Sequence, residues 1–149
     1  MDQFLENGRL TMDCREVEIA STPWSKITDD PWATEHYRCT LSGDDASTVS
    51  VTVGCDEGPP GIEDVIAVLG AEAATVEAAR SFEEWATALS YNPDSRHAER
   101  IYRAARRRAR SLRHLIGDAS YRELLRESED NGLGIGELVT DAREAGGAA

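Results

Sequence analysis

The apolar residues of the chain change their spacing once, at residues 54–61, and this change limits the folds that the sequence can adopt. Before it, apolar and polar residues alternate, as in "STVSVTV" (residues 47–53), which is the pattern of a half-buried strand. After it, apolar residues recur every three or four positions, as in amphipathic helices. The segment between them, "GCDEGPPG", favours neither pattern. The sequence therefore predicts a sheet followed by helices.

Three segments show the alternation of strands. They are "CREVEIAS" (14–21), "EHYRCTLS" (35–42) and "STVSVTV" (47–53). The polar turn "GDDAS" (43–47) joins the last two and indicates a β-hairpin. We expect a three-stranded antiparallel sheet over about 14–53, apolar on one face.

Four helices are predicted, over about 62–79, 81–90, 93–116 and 118–130. Ser81 and Glu84 form the pattern of a capping box, Asn92 can cap the third helix before Pro93, and Gly117 ends it. The predicted fold class is α+β, with one domain over 1–130. The glycine-rich residues 131–149 are predicted to be a flexible tail.

Charge is unevenly distributed along this chain. The net charge is −12, yet residues 93–116 hold eight arginines and two acids. On a helical wheel, one face carries small and apolar side chains, namely Ala98, Tyr102, Ala105, Ala109, Leu112 and Ile116. The opposite face carries a row of arginines, which we call the basic stripe: Arg96, Arg100, Arg103, Arg107 and Arg110.

Three interpretations of the basic stripe remain open. It can be a solvated face whose charges are balanced by acids of neighbouring helices, such as Glu83, Glu84, Glu123, Glu127 and Glu129. It can bind a nucleic-acid backbone, for which the guanidinium fork is well suited. It can also support self-association against an acidic face of another copy.

Paired carboxylates suggest a positively charged partner. A partner-binding acidic surface is predicted from Asp29, Asp30, Asp44, Asp45, Asp56, Glu57, Glu63 and Asp64. Such a surface can occupy the basic groove of a nucleic-acid-binding protein and so mimic DNA. The alternative is a soluble acidic surface, and helix capping alone accounts for Glu63 and Asp64. Trp24 and Trp32 each follow a proline and are either binding anchors or core residues.

No motif in the sequence indicates catalysis, a cofactor or a metal site. The phosphate-binding, dinucleotide-binding and metalloprotease signatures are missing, and the three cysteines form no CxxC pair. We therefore predict a non-enzymatic protein with reduced thiols. No run of about 18 apolar residues and no signal peptide is present, so a cytoplasmic protein without membrane contact is expected.

The segment from Ser81 to Asp118 resembles a set of small phage and prophage proteins, mostly of unknown function. The resemblance rests on Phe82 and Trp85 in an F-x-x-[WF] helix and on a Y-x-x-D-S-R-x-A-E junction before a long helix. Here the junction is formed by Tyr91, Asp94, Ser95, Arg96, Ala98 and Glu99. The resemblance extends over roughly residues 20–118. It implies a phage origin, and by analogy a role like that of anti-CRISPR proteins.

The predicted function is therefore binding of a macromolecule. The leading hypothesis is an inhibitor of a host nucleic-acid-handling or defence complex, which is a protein or a ribonucleoprotein. The inhibitor would bind this complex through its acidic surface, in the cytoplasm of an infected or lysogenic cell. The alternatives are a nucleic-acid-binding accessory protein that uses the basic stripe, and a phage structural or assembly component.

Overall fold

The α+β prediction is confirmed in a computed structural model, which describes residues 2–5, 8–18, 25–30 and 32–130. An antiparallel sheet is followed by four helices. The strands are β1 (Asp2–Leu5), β2 (Gly8–Glu16), β3 (Glu35–Ser42) and β4 (Thr48–Cys55). The helices are α1 (Ile62–Ala78), α2 (Phe82–Ala88), α3 (Arg96–Ile116) and α4 (Asp118–Asp130). The predicted tail at 131–149 lies outside the described residues.

The sheet is a meander with the strand order β1-β2-β3-β4, so β4 lies at one edge. Of the predicted strand at 14–21, residues 19–21 lie outside the described residues. Strand β2 occupies 8–16, so it begins earlier than predicted, and β1 pairs with it as an additional strand. The reason is that the alternation also extends towards the N-terminus: Leu10 is buried and Met12 and Cys14 are half-buried, while Thr11 and Asp13 are exposed. Cys14 lies opposite Cys39 of β3, so both strands turn the same face to the core.

Two hydrophobic clusters hold the helices in place. The larger one joins Val49, Val51 and Val53 of the sheet to residues of α1, α3 and α4. The smaller one contains Trp85, whose ring stacks on Tyr91 at 5.3 Å between centroids and whose indole donates to Thr75 Oγ1 at 3.0 Å. The small and apolar face predicted for α3 is buried over its whole length.

Helix α3 begins three residues later than predicted. Ser95 is its N-cap and its hydroxyl accepts from the backbone N–H of Ala98 at 3.2 Å. Asn92 instead accepts from the N–H of Asp94 at 2.9 Å and caps the turn that contains Pro93. Among the described residues, no helix combines the length and apolar character needed to cross a membrane.

Helix α1 passes through Gly70 without ending there. A Cβ at Gly70 would lie 2.6 Å from Cγ of Leu124 on α4. The missing side chain thus allows α1 and α4 to pack closely, and it explains a glycine in the middle of a 17-residue helix.

Gly70→Ala is expected to destabilise the protein by about 1–3 kcal/mol, because the added methyl group forces the Leu124 side chain out of its place. In a Leu124→Ala background the same change should stabilise the protein by about 0.5–1 kcal/mol, since alanine is the better helix former. Urea unfolding of the four proteins measures both effects. Destabilisation of equal size in the two backgrounds would contradict this account of Gly70.

Candidate anion-binding cleft

The basic stripe lies on the solvent side of α3, opposite the buried face. Its five arginines are all exposed. Arg100, Arg103 and Arg107 line a cleft of about 430 Å³ that lies between α3 and the β4 edge of the sheet. Arg96 and Arg110 are not part of its lining.

We call this space the basic cleft because five guanidinium groups line it. Strand β3 contributes Arg38, and α3 contributes Arg100, Arg103, Arg107 and Arg108. Val51, Thr52 and Ile101 complete the nearby wall. Guanidinium groups present several N–H donors in a fixed plane, which matches the oxygens of phosphate and carboxylate groups.

Two of these five arginines have carboxylate partners. Arg108 donates through Nε and Nη2 to Oε1 and Oε2 of Glu72 on α1, at 2.7 and 2.8 Å. Glu72 is only 1% exposed, so this ion pair is buried on the acidic side. Arg103 pairs with Glu99 one turn earlier on the same helix, at 2.5 Å. The second pair is exposed and contributes little to stability.

The other three arginines keep an uncompensated charge. Within the described part of the chain, no ion pair is formed by Arg38, Arg100 or Arg107. Among the described side chains, Glu84 and Glu123, which the sequence offered as partners on α2 and α4, form no ion pair with the basic stripe. Among the stripe residues that line the cleft, Arg103 has a carboxylate partner on its own helix, and the interpretation of the stripe as a solvated face balanced by neighbouring helices stays a prediction.

The surroundings of Arg38 disfavour its positive charge. Its guanidinium is half-buried beside Thr52, to whose hydroxyl Nη1 donates at 3.3 Å. Burial, and then the nearby positive charges of Arg108 and Arg15, lower the pKa of Arg38. An arginine stays charged in spite of such a shift, so the repulsion between these side chains remains in the folded protein. An anion bound in the cleft would relieve it.

The lining of the basic cleft also contains one carboxylate, that of Asp29. Asp29 Oδ1 lies 3.0 Å from Nε2 of His36, and both side chains are largely buried. The backbone N–H of Gly54 donates to Thr28 O, and a Cβ at Gly54 would lie 2.0 Å from Oδ1 of Asp29. A glycine at position 54 is thus required for the segment that contains Asp29 to lie against β4.

Lys26 also holds the segment that contains Asp29 in place. Its side chain is 2% exposed, and its ammonium donates to the carbonyls of Leu89 and Ser90 at 3.2 and 3.0 Å. It also lies 4.3 Å from the centroid of the Tyr91 ring. The one lysine of the chain is therefore a structural residue, which places Asp29 in the lining of the basic cleft.

The residues of the predicted acidic surface fall into separate groups. Asp29, Asp30, Asp56, Glu57 and Asp64 line a second space, of about 490 Å³, which we call the acidic groove. Asp44 and Asp45 lie in the β3–β4 turn, at the other end of β4, about 23 Å away along the strand. Glu63 is exposed in the first turn of α1.

Several of these acids accept hydrogen bonds from nearby backbone N–H groups. Asp30 Oδ1 accepts from Trp32 N–H at 2.8 Å, Asp64 Oδ2 from Gly61 N–H at 3.0 Å, and Asp45 Oδ1 from Ser47 N–H at 3.1 Å. The hydrogen bonds from Ser47, with a smaller contribution from His114, lower the pKa of Asp45. These acids thus stabilise turns and a helix start, whether or not they also meet a partner.

Sequence reasoning missed Arg38, His36 and Arg108 as site residues. Arg38 and His36 lie on the polar face of β3, where the alternation of the strand predicts exposure but names no partner. Arg108 lies between the basic stripe and the buried face on the helical wheel. Glu72 in the small-residue run "GAEAAT" could have indicated that a cationic side chain packs against α1, because a carboxylate in a buried helix face requires a cationic partner.

The cysteines are free thiols in the structure. Burial, with smaller contributions from neighbouring acids, raises the pKa of Cys55 to about 11. Burial also raises the pKa of Cys39. Both thiols therefore have little thiolate character at neutral pH. In the described ranges, no group of three or more His, Cys, Asp or Glu side chains is arranged to hold a metal ion.

Comparisons with protein-family models, with curated proteins and with solved structures found no match to this chain.

The ion pair between Glu72 and Arg108 generates a stability prediction. Arg108→Met should destabilise the protein by about 3–5 kcal/mol, because it leaves the Glu72 carboxylate buried without a counter-charge. The double variant Glu72→Met/Arg108→Met should lie within about 1 kcal/mol of the wild type. Urea unfolding followed by circular dichroism measures both values.

Arg103→Met is the matched control, since it removes an exposed pair on the same helix and should cost less than about 1 kcal/mol. A cost for Arg108→Met no larger than that of the control would show that this ion pair does not hold α1 and α3 together.

Proposed function

We propose that the protein binds nucleic acid through the basic cleft, without a catalytic step. The observation that carries the proposal is the row Arg100, Arg103 and Arg107 beside Arg38 and Arg108, of which three have no carboxylate partner among the described residues. Such a row binds phosphate oxygens with little dependence on base sequence.

The dimensions of the row support this proposal. Arg100 and Arg107 are seven residues apart, or about 10 Å along the helix axis. This distance corresponds to about three phosphates of a B-form strand. The net charge of −12 does not prevent such binding, because at physiological salt charges more than about 8 Å away are largely screened. We infer an accessory protein in the cytoplasm of an infected or lysogenic cell, on the basis of the resemblance to phage proteins.

Trp32 supports a second candidate function, the inhibition of a host nucleic-acid-handling or defence complex of the anti-CRISPR kind. Its side chain is 75% exposed, and its backbone is hydrogen-bonded to Asp30 of the acidic groove. An exposed tryptophan beside Asp30 of the acidic groove is suited to contact a basic protein surface, where it can stack on arginine. In this case the acidic groove, and not the basic cleft, is the binding surface.

A gel shift with short DNA and RNA at low salt tests the first function. The wild type is expected to retard both, with a Kd that rises with salt concentration to the power of about 2, as expected for about three phosphate contacts with a single strand. Arg103→Glu/Arg107→Glu should weaken binding at least about tenfold, because it replaces two attractive charges by two repulsive ones.

The control is Arg122→Glu/Arg126→Glu on α4. It causes the same change of charge and also reverses one paired arginine, Arg126 with Glu123. Measured at about 0.15 M salt, its affinity should stay within about threefold of the wild type, because neither residue lines the basic cleft and charges more than about 8 Å away are largely screened. Equal losses in the two variants would contradict a site at the cleft. Absence of any shift, together with capture of a basic protein complex that Trp32→Ala abolishes, would favour the acidic groove.

A further inference from the structure

The lining of the basic cleft is not uniform in charge. Along α3 it contains the exposed Arg103 and Arg107. It also contains Asp29, which borders both the basic cleft and the acidic groove. Beyond Asp29 the acidic groove continues with Asp30, Asp56 and Glu57. A chain of phosphates that enters along α3 would therefore be repelled where the acidic groove begins.

The interior of the cleft contains two guanidinium groups of fixed position. Arg108 is held by both oxygens of the buried Glu72 through Nε and Nη2, which leaves its Nη1 group for another acceptor. Arg38 is anchored by its bond to Thr52 and lies close enough to Arg108 for their charges to repel. Their positions are set before any ligand arrives, so little conformational entropy is lost on binding.

The charges in this interior are only partly balanced. Glu72 neutralises Arg108, whereas Arg38 faces Arg15 across the strand pair and has no carboxylate partner within the described residues. Over the whole lining of the cleft, Arg38, Arg100 and Arg107 have no carboxylate partner within the described residues. A tetrahedral group that brings two negative charges therefore balances the cleft better than a phosphodiester, which brings one. A phosphate monoester carries a charge of about −1.5 to −2 at pH 7.

We propose that the basic cleft binds the terminal phosphate monoester of a nucleic-acid strand, with Arg38 and Arg108 as the ligands of the phosphate. The strand leaves the cleft along Arg100, Arg103 and Arg107, away from Asp29. This inference rests on the proposed binding of nucleic acid and specifies which part of the ligand the cleft recognises.

The test compares three single-stranded DNA 12-mers of one sequence by fluorescence anisotropy, with a label in the middle of the strand. One carries a 5′-phosphate, one a 3′-phosphate and one a hydroxyl at both ends. The full-length wild type is expected to bind one of the phosphorylated strands about tenfold more tightly than the hydroxyl-ended strand, as expected for a charge-assisted bidentate contact.

Two variants separate the phosphate site from the rest of the cleft. Arg38→Gln should remove the preference and bind all three strands within about threefold of the wild type's affinity for the hydroxyl-ended strand. Arg110→Gln removes an exposed charge of the basic stripe outside the cleft and should keep the preference. Because Arg38 lies among like charges, Arg38→Gln is expected to fold with unchanged or higher stability.

Equal affinity of the wild type for the three strands would overturn this inference and leave the proposed function standing. If no strand binds, the proposed function is contradicted. A second measurement then tests whether the cleft binds phosphate at all. The wild type's Tm should then rise in sodium phosphate relative to sodium chloride at matched ionic strength by more than that of Arg38→Gln, because phosphate also stabilises folded proteins without a binding site. An equal rise in the two proteins would overturn the phosphate site itself.

Discussion

The buried ion pair between Glu72 and Arg108 is the interaction on which the arrangement of the cleft depends. Glu72 lies in the face of α1 that packs against α3, where a carboxylate without a counter-charge would be strongly unfavourable. The pair therefore fixes the rotation and register of α3 relative to α1. Once these are fixed, Arg100, Arg103 and Arg107 point towards the β4 edge of the sheet, and Arg108 comes close to Arg38.

The protein keeps opposite charges apart along a short boundary. Gly54 and Lys26 hold the segment that contains Asp29 against the sheet, with the basic cleft on one side and the acidic groove on the other. The excess of acids elsewhere in the chain does not neutralise the cleft, because screening limits their influence to about 8 Å at physiological salt. An acidic protein can thus present a basic site that is lined by arginines along α3 and bordered by Asp29.

The sequence predicts the elements better than it predicts the site. Periodicity gave the hairpin of β3 and β4 and the four helices, and the helical wheel separated the buried face of α3 from its arginines. It did not give β1, since the four residues Asp2–Leu5 are too short to show a period. It placed the start of α3 at Pro93, because Asn92 and Ser95 are both good caps and only the structure shows which one the helix uses.

The cleft could not be predicted from one element alone. The basic stripe is visible on a helical wheel, but Arg38 and Asp29 join it only through the packing of the sheet edge against α3. For the same reason the sequence could not choose between a solvated face and a binding site, because that choice depends on where the acids lie in space. Glu84 and Glu123 lie close to α3 in the sequence, but they do not pair with the basic stripe. Glu72 lies further away in the sequence, and it pairs with Arg108, which is next to the stripe on α3.

The most direct test of the central claim is an NMR titration of the arginine Nε–Hε resonances with a short phosphorylated single strand. If the basic cleft binds phosphate, the resonances of Arg38, Arg100, Arg107 and Arg108 should shift in a saturable manner, while those of Arg122 and Arg126 on α4 stay in place. Saturable shifts confined to α4, or no shift in the cleft at millimolar ligand, would contradict the claim.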